Sequence, residues 1–475
     1  LLTILKLIPK YKGGFKIVRK IVKKLSDLIN KMEPTQIMVI GFAIIILIGA
    51  ILLNMPISTQ NGESIGFLDA LFTSTSAVCV TGLIAVDTST YWSFFGQLII
   101  ITLIQIGGLG FMTMTTLFAL IIKKRINLRE RLLIQESLNQ IDLSGLVKLT
   151  RYILLTTVLI EGTGALLLST VFIPQFGILK GIWYSIFHAI SAFCNAGFDL
   201  MGVVSGPFSS LTYYVNNFTI TITVSLLIIL GGIGFPVILD LIRNKKLSKL
   251  NIHSKVVLFT TFVLIGFGML FILVLEYNNP KTLGQLGFGG KILASLFQSV
   301  TLRTAGFNTI DLAAMRENSI FFMIILMFIG ASPASTGGGV KTTTIATLIL
   351  TVKSFILEKQ DIEVCERRIS ETTVKKSLGI FLIGVALFLM GTLIISITDP
   401  DFSLLEVGFE VVSAIATVGL SIGGSPNLSI LGKIFIMLFM FMGRVGSLTI
   451  FMALASRGVK KNPLIRYPEG KIIVG

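Results

Sequence analysis

Charged and catalytic side chains are scarce in this chain of 475 residues. Only 13% of the residues are Asp, Glu, Lys or Arg, and there are two histidines and three cysteines. Three cysteines exclude a disulfide framework, and so few histidines are not typical of a membrane enzyme, which needs clustered His, Glu or Asp. Hydrophobic residues make up 53%, with a mean hydropathy of +0.88. The composition therefore predicts an integral membrane protein that is not an enzyme.

The net charge of +16 has a specific distribution. Of the 40 Lys and Arg residues, 32 lie in five segments that alternate with apolar stretches, namely 1–34, 123–151, 243–255, 353–376 and 457–471. This alternation is typical of basic residues on the cytoplasmic side of a membrane. It favours a multi-pass protein of the cell membrane, in contact with lipid and with both termini cytoplasmic, and it does not favour nucleic-acid binding.

One short pattern occurs four times, centred on Gly82, Gly197, Gly306 and Gly419. Five positions before each glycine stands a small residue, and ten positions before it a large apolar one. These latter positions are Phe72, Phe187, Leu296 and Phe409. The glycines are 115, 109 and 113 residues apart (197 − 82, 306 − 197 and 419 − 306). Intervals this long indicate a whole structural module used four times, rather than a short solenoid repeat.

Each module has the same predicted order of a long apolar span, a short apolar helix, a glycine-centred turn and a second span. The predicted spans are 36–53, 94–122, 152–172, 217–242, 256–275, 320–357, 377–397 and 430–455. The short helices, too short to cross a membrane, are 67–78, 182–193, 291–302 and 404–416. The modules are repeat 1 (35–125), repeat 2 (147–245), repeat 3 (255–357) and repeat 4 (375–457), between cytoplasmic segments 1–34 and 458–475. The predicted fold is an all-α membrane protein of eight transmembrane helices, with four repeats in pseudo-fourfold arrangement around one central pore.

The repeated turn has the properties of an ion filter. Non-helical backbone at membrane depth is tolerated only where protein buries it or where it lines a water-filled path. Glycine adopts positive φ readily, and rings of backbone carbonyls replace the hydration shell of K⁺ in known filters. Each short helix also directs its negative C-terminal dipole at the turn, which favours a cation. The alternative is a set of helix-breaking loops whose glycines serve packing.

Repeat 3 contains an additional irregular stretch, 330–339, where a proline and four glycines interrupt the second span. Its residues suit a gate that obstructs the pore and moves aside, or a structural kink. The corresponding stretches 107–110 and 231–234 predict only mild kinks. Pseudo-symmetry places Arg444 at the depth of this loop, where its guanidinium either donates hydrogen bonds to loop carbonyls or holds helices together. Lys341 is either an electrostatic part of the gate or an anchor at the inner face.

Carboxylates concentrate on the predicted outer connections, where they form either a cation-attracting mouth or a solvated face. They are Glu63, Asp69, Asp87, Asp199, Asp311, Asp399, Asp401 and Glu406. Glu161 and His188 are predicted at membrane depth, and for both a packing role is favoured over a proton relay.

The four turn motifs 80–83, 195–198, 304–307 and 417–420, together with the C-terminal segment 466–475, resemble the Trk/Ktr/HKT superfamily of potassium transporters. Within it, the chain is most similar to the membrane subunits of Ktr systems, because only a basic segment stands where Trk-type members carry an additional pair of spans. The resemblance implies channel-like K⁺ uptake driven by the membrane potential. It also implies that filter carbonyls come from Cys79, Val80, Thr81, Gly82, Cys194, Asn195, Ala196, Gly197, Arg303, Thr304, Ala305, Gly306, Ala416, Thr417, Val418 and Gly419.

The same resemblance implies an intramembrane gating loop and a regulated assembly. The expected gate residues are Gly330, Ser332, Pro333, Ser335, Thr336, Gly337, Gly338, Gly339, Lys341 and Arg444. The expected partners are a second copy of the chain, giving a homodimer, and a cytosolic nucleotide-binding ring of the KtrA type that ATP activates and ADP inhibits. K⁺ is the transported ion, and Na⁺ is either an activator or a co-ion. The competing hypothesis is a cation or solute symporter with a substrate site at the membrane midplane.

Overall fold

The computed structural model describes residues 34–110, 146–359 and 361–446. Within these ranges fourteen helices have nine or more residues. They are α1 (Pro34–Leu53), α2 (Phe67–Cys79), α3 (Phe94–Leu109), α4 (Leu146–Phe176), α5 (Ile178–Phe193), α6 (Phe218–Gly232), α7 (Phe235–Arg243), α8 (Ile252–Glu276), α9 (Phe288–Thr301), α10 (Glu317–Phe328), α11 (Thr342–Ile356), α12 (Glu371–Thr398), α13 (Leu404–Ile415) and α14 (Ile430–Val445). Single helical turns in the connections are Pro56–Ser58, Thr88–Tyr91, Gly202–Ser205, Thr212–Tyr214, Leu247–Lys249 and Gly424–Asn427.

The long helices α1, α4, α8 and α12 are each long and apolar enough to cross a membrane, and α6 with α7 would form a fifth, bent crossing. Large apolar side chains project from the outer faces of α8 and α12. Phe259 is 71% exposed, Phe262 78% and Leu389 61%. Such surfaces are unfavourable in water and are expected against lipid. The described part of the chain is therefore that of a multi-pass, mainly helical membrane protein.

The short helices α2, α5, α9 and α13 lie in the interior, and their bounds agree with the predicted short helices to within four residues. The large apolar positions of the repeated pattern explain this placement. Phe72, Phe187 and Phe409 are fully buried, whereas Leu296 is half-buried and its neighbour Phe297 is fully buried instead. These side chains belong to three hydrophobic clusters that pack each short helix against longer ones. The clusters fix where the four turns can lie.

The prediction of a single, mildly kinked helix at 217–242 is wrong. The helices α6 and α7 meet at a bend of 97°. Gly234 has a φ of 93°, and Pro236 stands in the first turn of α7, so the backbone leaves the helical conformation and restarts in another direction. The predicted span 320–357 is interrupted, as expected, and consists of α10, α11 and the irregular residues between them.

Two predicted spans are only partly described. The helix α3 ends before Gly110 and α14 ends before Gly446, both of which have positive φ. The remainders of the predicted spans 94–122 and 430–455 lie outside the described residues. So do most of the predicted cytoplasmic segment 1–34 and all of segment 458–475.

A small β-ribbon corrects the all-α prediction. Strand β1 (Glu363–Val364) pairs antiparallel with β2 (Arg367–Arg368). The two residues between them, Cys365 and Glu366, both have positive φ, which matches the twist that a two-residue hairpin requires. The ribbon lies in the connection between α11 and α12, away from the interior.

A partly buried ion pair joins the last described helix to the first short helix. Lys433 Nζ of α14 lies 2.7 Å from Asp69 Oδ1 of α2, and both side chains are less than one-third exposed. The two residues are 364 positions apart in the chain. The helices therefore form a closed arrangement, with the short helices α2, α5, α9 and α13 on its inside.

Candidate functional site

The four glycines of the repeated pattern lie side by side in a closed ring. A Cβ atom placed on Gly82 would lie 3.2 Å from Gly197 Cα, and one on Gly197 would lie 2.8 Å from Gly306 Cα. A Cβ on Gly306 would lie 3.4 Å from Gly419 Cα, and one on Gly419 would lie 2.9 Å from Gly82 Cα. Most real Cβ atoms keep a greater distance, so the ring accepts only glycine. Its lining is backbone.

The four segments that form the ring share an unusual backbone conformation. The residue two positions before each glycine also has positive φ, as found at Val80 (55°), Asn195 (58°), Thr304 (67°) and Thr417 (52°). Non-glycine residues rarely adopt this conformation, and strained backbone is maintained where it serves a function. In an extended strand successive carbonyls point in opposite directions, whereas left-handed backbone at every second residue lets them turn to the same side.

Hydroxyl groups at the ends of the short helices hold this conformation in place. Ser76 Oγ accepts a hydrogen bond from Gly82 N at 3.0 Å, and Ser413 Oγ accepts one from Gly419 N at 3.0 Å. In the other two segments a hydroxyl donates to the carbonyl just beyond the glycine, Ser191 Oγ to Phe198 O at 2.7 Å and Thr301 Oγ1 to Phe307 O at 2.6 Å. All four segments are therefore bonded to their own short helix.

The electrostatics of the ring favour a cation. The helices α2, α5, α9 and α13 all end next to it, and a helix C-terminus carries roughly −0.5 elementary charge. Three hydroxyl groups of the ring segments, those of Thr81, Thr304 and Thr417, are buried and have no hydrogen-bond partner among the described residues. Buried polar groups normally have a partner. A hydrated or partly hydrated cation would supply one.

The irregular stretch between α10 and α11 packs directly against this ring. Side chains added at Gly337 or Gly338 would collide with Thr304 Oγ1 or Thr417 Oγ1, respectively, and these threonines belong to two ring segments. The stretch is closed on itself, because Gly330 N donates to Val340 O at 2.9 Å. Its glycines therefore allow an approach to the ring that no other residue type would allow.

The same stretch is bonded to the break between α6 and α7. Ser332 N donates to Gly232 O at 3.0 Å and Thr336 N to Gly231 O at 3.2 Å. In the opposite direction, Phe235 N donates to Ala334 O at 3.1 Å. The carbonyls at the end of α6 and the amide at the start of α7 are free for such bonds because helix ends leave these groups without partners inside the helix.

Three basic side chains donate hydrogen bonds to carbonyls of this stretch. Arg444 Nη1 donates to Thr336 O, Lys341 Nζ to Gly337 O at 2.7 Å, and Arg303 Nη2 to Gly330 O at 2.8 Å. Arg444 also donates to the carbonyls of Gly107 and Gly108 at the end of α3, the latter at 3.1 Å. None of the ion pairs in the described part of the chain involves these three cations. Backbone carbonyls are thus their partners.

The side chains of Arg303 and Asn195 make contacts with this stretch that were not predicted from the sequence. Arg303 was expected to contribute only its carbonyl, and that carbonyl instead accepts a bond from Asn195 Nδ2 at 3.1 Å, while its side chain reaches the irregular stretch. Asn195 in turn accepts a bond from Thr336 Oγ1 at 3.1 Å. The available signal was that these are the most polar side chains among the sixteen predicted filter residues.

The remaining predicted gate residues all lie in the same stretch. Ser332 Oγ is 2.9 Å from Thr342 Oγ1, and Ser335 Oγ donates to Ser332 O at 2.6 Å. The carbonyl of Pro333 faces Gly234, where an added Cβ would lie 2.5 Å from it, and a Cβ added at Gly339 would lie 2.9 Å from Gly330 Cα. The four predicted filter segments and the predicted gate are therefore adjacent in space.

Glu161 and His188 have local partners, in keeping with packing roles. Glu161 accepts bonds from Gln105 Nε2 at 3.2 and 3.3 Å and faces the Cys194 thiol at 3.9 Å. The His188 ring is bonded to Tyr184 O at 2.7 Å through Nδ1 and accepts a bond from Leu200 N at 3.3 Å through Nε2.

A pair of carboxylates lies in the connections that follow the first and second ring segments. Asp87 accepts bonds from Ser89 N at 3.1 Å and, across to the other connection, from Phe208 N at 3.0 Å. Asp199, two residues after Gly197, accepts a bond from Met201 N at 2.9 Å. Burial raises the pKa of Asp199 to about 7, and the negative charge of Asp87 adds to the rise. This carboxyl therefore changes charge near neutral pH.

These features define a helical membrane protein with a backbone-lined ring suited to a cation. The chain belongs to the TrkH family of cation transport proteins, whose model matches residues 16–459. This confirms the resemblance noted in the sequence.

Among its relatives is the Ktr system potassium uptake protein B of Bacillus subtilis, which is 41% identical over 445 residues, or 94% of this chain and 97% of that protein. The potassium/sodium uptake protein NtpJ of Enterococcus hirae is 41% identical over 462 residues, covering 97% and 100%. These relatives are transporters and not enzymes, as predicted for this chain.

A solved structure supports the fold at lower sequence similarity. The potassium transporter TrkH from Vibrio parahaemolyticus aligns with a TM-score of 0.67 at 18% identity, over 87% of this chain and 84% of that one. The two proteins share a fold.

Proposed function

We propose that this chain is the ion-translocating membrane subunit of a potassium uptake system. The observation that carries the proposal is the closed ring of Gly82, Gly197, Gly306 and Gly419, formed within one chain at the ends of four short helices. A backbone-lined ring of this kind can replace the hydration shell of a monovalent cation. Potassium is the ion named for the Bacillus subtilis relative, and sodium is named beside it for the Enterococcus hirae relative.

The proposed architecture is four units of span, short helix, ring segment and second span, arranged around the ring. On this view the path of the ion runs through the ring, and the membrane potential drives it. A potential of 100 mV supplies about 2.3 kcal/mol per charge, which supports roughly 40-fold accumulation. Transport then requires no ATP hydrolysis by the chain itself.

The irregular stretch between α10 and α11, the loop 330–339 with Lys341, is the proposed gate. Its support is its position against Thr304 and Thr417 of the ring and its three basic contacts. A positive charge beside the path opposes a cation, so the proposed gate would be closed while these three contacts are made. Opening of the proposed gate would require the hydrogen bond from Arg444 to Thr336 O to break.

The proposed assembly is a homodimer with a cytosolic nucleotide-binding ring of the KtrA type, on which ATP and ADP act. The name of the Bacillus subtilis relative, protein B of a Ktr system, supports a partner subunit. In that assembly the cytosolic nucleotide-binding partner would provide the force that moves the gate, and nucleotides would not bind the membrane subunit.

Purified protein in lipid vesicles tests the central proposal. With an inward-negative potential and no second solute, the vesicles should accumulate K⁺ and Rb⁺, and excess external K⁺ should compete with Rb⁺. Uptake that requires a second solute gradient, and that persists after the potential is collapsed, would favour a symporter with a midplane site instead. Replacing Gly82 by Ser provides the matched control, since it alters the ring alone.

A further inference from the structure

A basic and apolar tail begins in the last turn of α7 and continues into the connection after it, with the residues Ile242, Arg243, Lys245, Lys246, Leu247 and Lys249. Its four cations are exposed, Ile242 is 58% exposed and Leu247 is 72% exposed. None of the described ion pairs involves these cations. Exposed cations interleaved with large apolar side chains are typical of a segment that lies in the headgroup region of an anionic membrane.

The direction of α7 supports this placement. It leaves the apolar helix α6 at 97°, so that α7 runs roughly parallel to the membrane plane if α6 runs along the membrane normal. The inner side of α7 is fixed to the protein, because Asp240 accepts bonds from Ser254 Oγ at 2.6 Å and from Asn251 N at 2.9 Å. The tail and the start of α8 therefore form a rigid corner.

The helix α7 connects that corner to the loop 330–339. At the opposite end of α7, the break carries the bonds of Gly231 O, Gly232 O and Phe235 N to the loop. A Cβ added at Gly234 would lie 2.5 Å from Pro333 O, which shows how closely the two backbones pack. A force that holds α7 in place therefore also holds the loop against the ring.

We propose that the tail after α7 binds anionic phospholipid headgroups of the inner leaflet and thereby stabilises the loop 330–339 in its position against the ring. This inference rests on the proposed function of the loop as a gate. A ligand shifts such an equilibrium only by its difference in affinity for the two states. One Lys or Arg near an anionic surface changes affinity roughly fivefold, so a difference of one contact predicts about a fivefold change in basal uptake.

The experiment measures rubidium uptake by the purified chain, without soluble partners, in vesicles of phosphatidylcholine with and without phosphatidylglycerol. Wild-type uptake should be about fivefold lower with phosphatidylglycerol. The triple variant Lys245→Gln, Lys246→Gln, Lys249→Gln should take up rubidium equally in both. A matched control carries Arg367→Gln, Lys375→Gln and Lys376→Gln, which are exposed basic residues of strand β2 and of the start of α12 with no described bond to the loop, and it should behave as wild type.

Four results would overturn the inference. The tail variant could retain the lipid dependence of wild type, or the control could lose it equally, which would indicate a general effect of surface charge. The tail variant could also match wild type in both lipids but lose its response to a regulatory subunit, which would make the tail a protein contact. The Arg444→Ala variant tests the proposed gate independently of the lipid effect. If that variant and wild type are equal in neutral vesicles, the gate is refuted, and the lipid inference fails with it.

Discussion

Replacing Arg444 by alanine should release the loop 330–339. In the wild type, the Arg444 guanidinium donates to Thr336 O of the loop and to the carbonyls of Gly107 and Gly108 at the end of α3. It thus joins the loop to a helix of another part of the chain. A guanidinium presents five donors in a fixed planar arrangement, which is why one side chain can hold both.

The size of the effect follows from the single bond to the loop. A hydrogen bond to a charged group is worth about 1.5–3 kcal/mol, and 1.4 kcal/mol is a factor of ten. Loss of the Thr336 bond should therefore shift the loop toward its open position by roughly 10- to 100-fold. Removing a positive charge beside the path adds to the rise in cation flux. Arg444→Lys keeps the charge but cannot span both sets of carbonyls, so its uptake should be intermediate.

The assay is potential-driven rubidium uptake by the isolated chain in vesicles, compared at equal amounts of folded protein. Arg316→Ala is the control, because this arginine is exposed in a connection and its side chain has no described contact with the loop. Equal uptake by wild type, Arg444→Ala and Arg444→Lys would refute the reasoning and leave Arg444 as a packing residue. So would a rise of the same size in Arg316→Ala.

Three further results are expected. Gly419→Ala should reduce K⁺ uptake and discrimination against Na⁺, because the added Cβ collides with Thr81 O and requires a φ of +88°, as competition between the two ions would measure. Gly337→Ala should raise basal rubidium uptake about tenfold, because its Cβ collides with Thr304 Oγ1 and pushes the loop from the ring at a cost of about 1–3 kcal/mol. Lowering the external pH from about 8 to about 6 should protonate Asp199, whose pKa is about 7, and weaken apparent K⁺ affinity by up to about fivefold.

Each of these predictions has its own control. Gly423→Ala changes a positive-φ glycine with open space around it, so a selectivity loss equal to that of Gly419→Ala would point to general backbone strain. For Gly337, unchanged rubidium uptake by a folded Gly337→Ala variant would argue against a gate that packs against the ring. For pH, Asp199→Asn should remove the dependence. If K⁺ affinity still depends on pH in Asp199→Asn, another titratable group is responsible.

The positions of the interior helices could be predicted because the repeated pattern encodes both burial and termination. Phe72, Phe187 and Phe409 mark the buried faces, and the glycines mark the ends, so α2, α5 and α13 each end within one residue of the predicted position. The four glycines that the pattern marks also lie next to one another in the structure.

The interactions around the loop could not be predicted in the same way. The 97° bend before α7 depends on bonds between Gly231 or Gly232 and the loop, which no local pattern records. The side chain of Arg303 was missed because its motif position suggested only a carbonyl role, whereas its direction depends on the loop beside it. The two-stranded ribbon around Cys365 was missed because it is short and polar.

The ring of glycines is built from a single polypeptide, and this has a genetic consequence. In a pore assembled from four identical chains, every substitution occurs four times and the four segments stay equal. Here one codon changes one of the four ring segments. The residues two positions before the glycines, Val80, Asn195, Thr304 and Thr417, can therefore differ although all four have positive φ. Selection can therefore change one segment of the ring while the other three keep their sequence.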